Sequence, residues 1–299
     1  MTNVSVAALN TIFRFAVIIV IVPITKFIEK LACRLIKDSP KDLELLQDMD
    51  RLEERFLSHP ALAVEQSRLT INSMANRTMG NLLAAFKLVD NYTEEGYDAI
   101  EHTEDIIDRY EDKLGTYLMN LSSHELTQDQ SEAVSKYLHT INDFERMSDH
   151  SLNIAECAKE ISEKKVAFSE EAKKELGILE SAVAEVIGIA VSAFESNDLA
   201  KAYRVEPLEE LIDNLCDEMK LHHIDRLQKG ECTFERGFVF NDLLTDLERI
   251  SDHCSNIALA MIESESESFD AHEYISSLNA MHTKSFDEYY NEYREKYKI

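Results

Sequence analysis

The sequence predicts an all-α protein: an N-terminal membrane helix followed by two tandem, pseudo-symmetric three-helix bundles. Three observations carry that expectation. Only 7 of 299 residues are Gly and 4 are Pro, too few for the many turns of a sandwich or a doubly wound sheet. Apolar residues recur at helical spacing, as in Ile100, Ile107, Tyr110, Leu114, Tyr117 and Leu121. The third is an internal repeat: Asp143–Ala155 realigns with Asp246–Ala258 at an offset of 103, with nine identities in thirteen positions.

Taken in order, Val4–Ile24 is mostly apolar, and its 21 residues can just span a bilayer. Asn10, Thr11, Arg14 and Pro23 interrupt it, which suits one helix of a membrane bundle, since polar groups at depth must face protein or water. A buried soluble helix is the alternative. Lys26, Lys30, Arg34 and Lys37 follow, placing the rest of the chain in the cytoplasm by the positive-inside rule. A signal peptide would carry its charges before the apolar run and a small-residue cleavage site after it. The membrane and basic segment is thus 1–37. Residues 38–60 form a linker, with turn clusters at Asp38-Ser-Pro-Lys41 and Ser58-His-Pro60 around a short acidic amphipathic piece.

The first bundle spans 61–163, with helices at 61–91, 95–121 and 127–163. The second spans 164–265, with helices at 169–196, 198–228 and 233–265. A tail at 266–299, rich in Ser, Glu and Tyr, holds one more helix or is partly disordered.

With 31 basic and 57 acidic residues the net charge is −26, which argues against a nucleic-acid partner, because phosphate neutralisation needs clustered Lys and Arg. Cys33, Cys157, Cys216, Cys232 and Cys254 form no CxxC pair and read as reduced packing residues.

Each repeat carries Glu-x-x-x-Asp on its third helix, as Glu145 with Asp149 and Glu248 with Asp252. Four residues apart, the two carboxylates share one helix face. The second helix adds Glu101, Asp105 and Asp108, matched at an offset of 105 by Glu206, Glu210 and Asp213. Were the two helices antiparallel neighbours, four or five carboxylates would meet on a surface shelf, where like charges repel unless a cation sits among them. Oxygen ligands suit hard cations or an iron cluster. The competing reading is a solvated acidic surface, since roughly 11 acid-x-x-x-acid pairs arise by chance at this composition. Recurrence in both diverged copies favours the metal.

His150 and His253 follow the Asp of each pair and point about 100° away from it, so packing or a salt bridge suits them better than ligation. Arg146 and Arg249 are expected to hold acids such as Asp143 or Asp246. Asn153 and Asn256 lie on the Glu face, either supporting a metal site or bonding helix to helix. No histidine has the Glu three residues before it that a di-iron bundle uses, and no nucleotide fingerprint or HExxH motif is present. No enzymatic activity is expected.

Glu145-Arg-Met-Ser-Asp-His150 with Asn153-Ile154-Ala155, and Leu247-Glu-Arg-Ile-Ser-Asp-His-Cys-Ser-Asn-Ile-Ala258, resemble the paired signature of the PhoU family of phosphate-signalling proteins, over residues from about 45 to 262. Val205-Glu-Pro-Leu-Glu-Glu-Leu-Ile-Asp213 and Arg226-Leu-Gln-Lys-Gly-Glu-Cys232 resemble the version fused to bacterial Na⁺/phosphate cotransporters. Val4-Ser-Val-Ala-Ala-Leu-Asn-Thr-Ile-Phe13, followed by the apolar run and Leu31, is similar to the last membrane helix of that transporter family.

The resemblance implies a cytoplasmic domain at the cell membrane that regulates phosphate uptake and homeostasis, as the C-terminal part of such a cotransporter. It also implies iron or zinc clusters, with Mn or Mg compatible, held by Glu101, Asp105, Asp108, Glu145, Asp149, Glu206, Glu210, Asp213, Glu248 and Asp252. The sequence departs from the pattern at Glu210, where Asp is expected. Implied partners are the membrane, transporter helices of the same or another protein, and a second copy in a homodimer. The alternative is a metal-independent helical adaptor that binds a transporter or kinase.

Overall fold

The computed structural model describes residues 13–14, 40–230, 232, 234–266 and 285–299, and its regular elements there are all helical. The predicted membrane helix and basic segment lie outside the described residues, apart from helical Phe13 and Arg14. The chain divides into two units, 1–47 and 48–299.

Helix α1 (Pro40–Met49) and a 3-10 turn (Glu54–Ser58) occupy the predicted linker. The first bundle is α2 (Pro60–Asp90), α3 (Glu94–Ser122) and α4 (Gln128–Lys164). The second is α5 (Glu170–Ser196), α7 (Val205–Gln228) and α8 (Phe234–Ser266), with the single turn α6 (Leu199–Ala202) before α7. Residues 285–296 form α9.

Local chemistry sets these boundaries. Pro60 opens α2, where its missing N–H is no loss. Thr127 and Gln130 cap α4 reciprocally, each side chain bonding the other's backbone N–H. Helices α4 and α5 close on left-handed residues, Lys165 (φ 51°) and Asn197 (φ 49°). Gly96 lets α3 start close against α2, because a Cβ there would lie 2.7 Å from Leu88 Cδ1.

The predicted continuous helix over 198–228 is broken at Tyr203–Arg204, ahead of Pro207. Proline there has no N–H for the carbonyl of Tyr203, and its ring would clash with that carbonyl in an unbroken helix.

Each bundle buries the stripe that its periodicity marks. Ile71, Met74 and Leu82 of α2 meet Ile107, Tyr110 and Leu114 of α3 and Phe144 and Ile154 of α4, all of them at most 1% exposed. In the second bundle Val183, Val186 and Ile187 pack with Leu208, Ile212, Met219, Ile250 and Ile257. The bundles join through α4 against α8 and α2 against α5. Phe194 of α5 crosses this seam, meeting Tyr137 and Phe144 of α4 edge-on at 6.2 and 5.8 Å. Helix α5 is long and apolar enough to cross a membrane, with mean hydropathy 1.8, yet half of its apolar window is buried in the bundle.

Both ends of the second unit are tied to it. Tyr110 of α3 donates to Asp48 at the end of α1 and accepts from Arg77 Nε at 3.2 Å. Tyr293 of α9, 1% exposed, bonds Arg204 Nε at 3.2 Å, and Tyr297 bonds Glu185 of α5.

Candidate metal centre

The turn at residues 123–127 makes α3 and α4 neighbours, and α7 and α8 are the matching pair. On the second pair, Glu209, Asp213 and Asp252 each bring a carboxylate oxygen within 4.8 Å of the others. Glu209 and Asp213 stand one helical turn apart, as do Glu248 and Asp252. Asp213 Oδ1 is buried without a hydrogen-bond partner. An orphaned carboxylate oxygen among other carboxylates is what a hard cation would satisfy, so the residues present fit an oxygen-ligated metal.

The electrostatics report the same crowding. Burial, then Asp213 and Asp252, push the Glu209 carboxyl up to about 7. Asp213 rises to about 6 through burial, Asp252 and Glu248. On the first pair, burial followed by Asp105, Asp149, Asp108 and Glu145 raises Glu104 to about 7. Glu145 is also raised, by burial and then Asp149, against the opposing pull of Arg146. The third-helix carboxylates are 20–36% exposed: Glu145 20%, Asp149 36%, Glu248 29% and Asp252 30%. They form shelves at the surface, open to an ion yet partly stripped of water.

The predicted residues are thus gathered unequally. Asp108, Glu145 and Asp149, with Asp213, Glu248 and Asp252, line the shelves. Asp105 and Glu210 are exposed at their edges, and act on Glu104 and Glu209 through their charge. Glu101 is exposed, and its charge acts on Tyr97, a turn earlier. Glu206 is half-buried and its charge adds to that on Glu209.

Sequence reasoning missed Glu104 and Glu209. The signal was present, because Glu104 with Asp108 and Glu209 with Asp213 repeat the Glu-x-x-x-Asp spacing of the third helix at the offset of 105. In that register both second-helix pairs end in Asp, while Glu210 still aligns with Asp105 of the first copy.

The arginines behave differently from expectation. Arg146 Nη1 lies 3.4 Å from Asp149 Oδ2, and Arg249 Nη1 3.0 Å from Asp252 Oδ2, each along its own helix. Asp143 and Asp246 face the other bundle instead. His150 Nδ1 is 2.8 Å from Asp246 Oδ1, and Asn153 Nδ2 donates to the same oxygen at 3.2 Å. His253 and Asn256 make the reciprocal contacts to Asp143 Oδ1, at 2.9 and 3.3 Å. The two imidazoles face each other at 5.7 Å across the pseudo-twofold axis. Cys157, Cys216 and Cys254 form no disulfide, and burial raises all three thiols.

Comparison with known proteins matches the PhoU domain twice, over residues 71–158 and 178–261. The chain is 32% identical over 131 residues to the "Phosphate-specific transport system accessory protein PhoU homolog 1" of Thermotoga maritima, covering 42% of this chain and 56% of that protein. It is 23% identical over 258 residues to the YjbB protein of Salmonella typhimurium, whose name provisionally assigns it inorganic phosphate export; 85% of this chain and 47% of that one are covered. The chain therefore spans about half the length of the curated relatives it matches. Among solved structures, PhoU from Pseudomonas aeruginosa superposes with a TM-score of 0.63 at 18% identity, covering 69% of this chain and 97% of that one. The phosphate transport system regulatory protein PhoU from Streptococcus pneumoniae gives 0.58 at 20%, covering 76% and 97%.

Proposed function

The chain belongs to the PhoU domain family, with one repeat in each bundle, and from that membership we propose that it is a regulatory module of phosphate transport whose two carboxylate shelves bind metal ions. The observation that carries this reading is the recurrence of one constellation on both bundles. Glu104, Asp108, Glu145 and Asp149 are matched by Glu209, Asp213, Glu248 and Asp252, with the Asp213 oxygen left unsatisfied. A bound cation would supply the positive charge that these crowded carboxylates lack, linking the second helix of each bundle to the third. Arg146 and Arg249 steady the neighbouring Asp side chains from the exposed side. A carboxylate donor set suits a hard cation such as manganese or magnesium, and iron and zinc, which the family resemblance implies, also accept carboxylate ligands.

The finer reading is that the module serves a Na⁺/phosphate cotransporter, on the cytoplasmic side of the cell membrane and attached through residues 4–24. The apolar run with its trailing Lys and Arg supports this. So does the match to a phosphate-export relative about twice as long as the aligned region. Its partners would be transporter helices and a second copy of the chain.

The alternative, a metal-independent adaptor, draws on a different observation. Ile224 (49% exposed) and Phe238 (70%) line one pocket between the last turns of α7 and the first turns of α8, and Leu221 (66%) is exposed one turn before Ile224, an apolar surface suited to a protein partner.

Two measurements separate these readings. Elemental analysis of the full chain should find metal that falls on Glu248→Gln with Asp252→Asn, and falls further when Glu145→Gln and Asp149→Asn are added. Phosphate accumulation in cells should differ between wild type and this quadruple variant. Equal metal content in all variants would leave the adaptor; equal phosphate accumulation would remove the metal from the regulatory account.

A further inference from the structure

Beyond the matched acids, the two shelves differ at two positions of the second helix, Glu111 against Cys216 and Gly115 against Lys220. The offset that superposes Glu104 on Glu209 and Asp108 on Asp213 also pairs Asp112 with Asp217. It pairs Glu111 with Cys216, however, and Gly115 with Lys220. The second shelf has therefore exchanged one acid for a thiol and gained a lysine.

That lysine is engaged with the shelf. Lys220 Nζ donates to Glu248 Oε2 at 2.8 Å and lies 3.5 Å from Asp217 Oδ1. The two partners of the closer pair are 32% and 29% exposed, so solvent screens the contact only in part. Its charge also reaches Asp213. In the first bundle, Glu145 stands where Glu248 does; the charges of Asp149, Glu111 and Asp108 fall on it, opposed by Arg146, whose Nε lies 3.6 Å from its Oε2 against 2.8 Å for Lys220 and Glu248. The place of the lysine is open there. A Cβ on Gly115 would sit 3.8 Å from both Glu111 Oε1 and Ile141 Cδ1, which is ordinary contact.

We propose that Lys220 is a built-in cation of the second shelf, holding Glu248 and thinning the local negative charge, so that a divalent metal binds there more weakly than on the first shelf. This rests on the reading that both shelves bind metal. An ammonium is a compact point charge on a flexible stem. It can neutralise Glu248 while no metal is present, and swing into solvent when one arrives. Until it leaves, it repels a dication and withholds a ligand oxygen. The first shelf, with five carboxylates counting Glu111 and a glycine at the lysine position, has only the more exposed Arg146, 3.6 Å from Glu145 Oε2, whose counterpart Arg249 the second shelf also carries; it has no second cation in the place of Lys220. The shelves would then fill in order as metal rises, and the protein would respond over a wider concentration range than two equal sites allow.

The test is a Mn²⁺ titration of the full chain in detergent, followed by calorimetry and by paramagnetic resonance of the free ion. Wild type should show a tight and a weak class of sites, lost respectively in Glu145→Gln/Asp149→Asn and in Glu248→Gln/Asp252→Asn. Lys220→Met should tighten the weak class roughly tenfold, the scale of removing one nearby like charge. Lys220→Arg should keep it weak. Gly115→Lys should weaken the tight class by a similar factor, with Gly115→Met as the control for bulk. In chelator, Lys220→Met should melt lower than wild type, and saturating Mn²⁺ should close that gap. If wild type binds no Mn²⁺, the metal reading fails and this inference falls with it. If both classes exist and Lys220→Met leaves each unchanged, Lys220 is a structural ion pair alone; the inference is then overturned while the metal reading stands.

Discussion

His150 of the first bundle places its Nδ1 2.8 Å from Asp246 Oδ1 of the second. The relationship is returned across the pseudo-twofold axis by His253 and Asp143, so the seam between bundles is closed by two copies of one polar contact. Each acid is 8% exposed and also accepts from an asparagine of the opposite bundle. The seam is thus specified by polar groups that any other register of α4 on α8 would leave unpaired.

Asp246→Ala should therefore destabilise the protein by about 1–3 kcal/mol, because it leaves two half-buried donors without their acceptor. Asp143→Ala should cost a similar amount, since its surroundings repeat those of Asp246. Urea unfolding followed by circular dichroism measures both. A loss under about 0.5 kcal/mol, the range of an ordinary surface change, in either variant would show that the seam does not depend on these pairs.

Stability without metal should fall as pH rises. Glu104, Glu209 and Glu180 are each pushed up to about 7, by burial first and by neighbouring acids second. Their usual value is 4.5, so between these two values the folded chain holds protons that the unfolded chain has released. Stability then decreases with rising pH across that window. In chelator, the melting temperature of wild type should drop more between pH 5 and 8 than that of Glu104→Gln/Glu209→Gln. Added Mn²⁺ should counter the drop, because a cation favours the ionised carboxylates. Parallel melting curves for the two proteins across this range would refute the assignment.

The C-terminal helix should contribute to the second bundle. Tyr293 is 1% exposed, and its hydroxyl bonds Arg204 beside the break before α7. Tyr293→Ala should cost about 3–5 kcal/mol, the range for deleting a buried aromatic ring. Backbone amides of α5 and α7 should exchange faster, while those of α2 and α3 stay protected. Uniform loss of protection in both bundles, or none, would contradict a contribution confined to the second.

The helical class, the order of the long helices and the twofold internal repeat were legible in the chain alone. Scarce Gly and Pro, the 3.6-residue apolar spacing and the matching Asp143–Ala155 and Asp246–Ala258 segments are local properties of one strand of text. The sequence also marked Glu145, Asp149, Glu248 and Asp252, since a four-residue spacing shares a helix face whatever the helix packs against. What each face meets depends on how helix packs against helix. On α3, Glu101, Glu104, Asp105 and Asp108 cover adjacent surface, and periodicity ranks none of them above the others. The rotation of α3 against α4, set by burying Ile107, Tyr110 and Leu114, brings Glu104 and Asp108 to the shelf and turns Glu101 to solvent. The cross-bundle pairs of Asp143 and Asp246 join residues 93 to 113 positions apart, beyond the reach of any helical spacing rule. Lys220 looks like one more surface lysine in the sequence. Its weight comes from the neighbouring helix, which sets Glu248 2.8 Å away, because Coulombic interaction depends on distance through space and not along the chain.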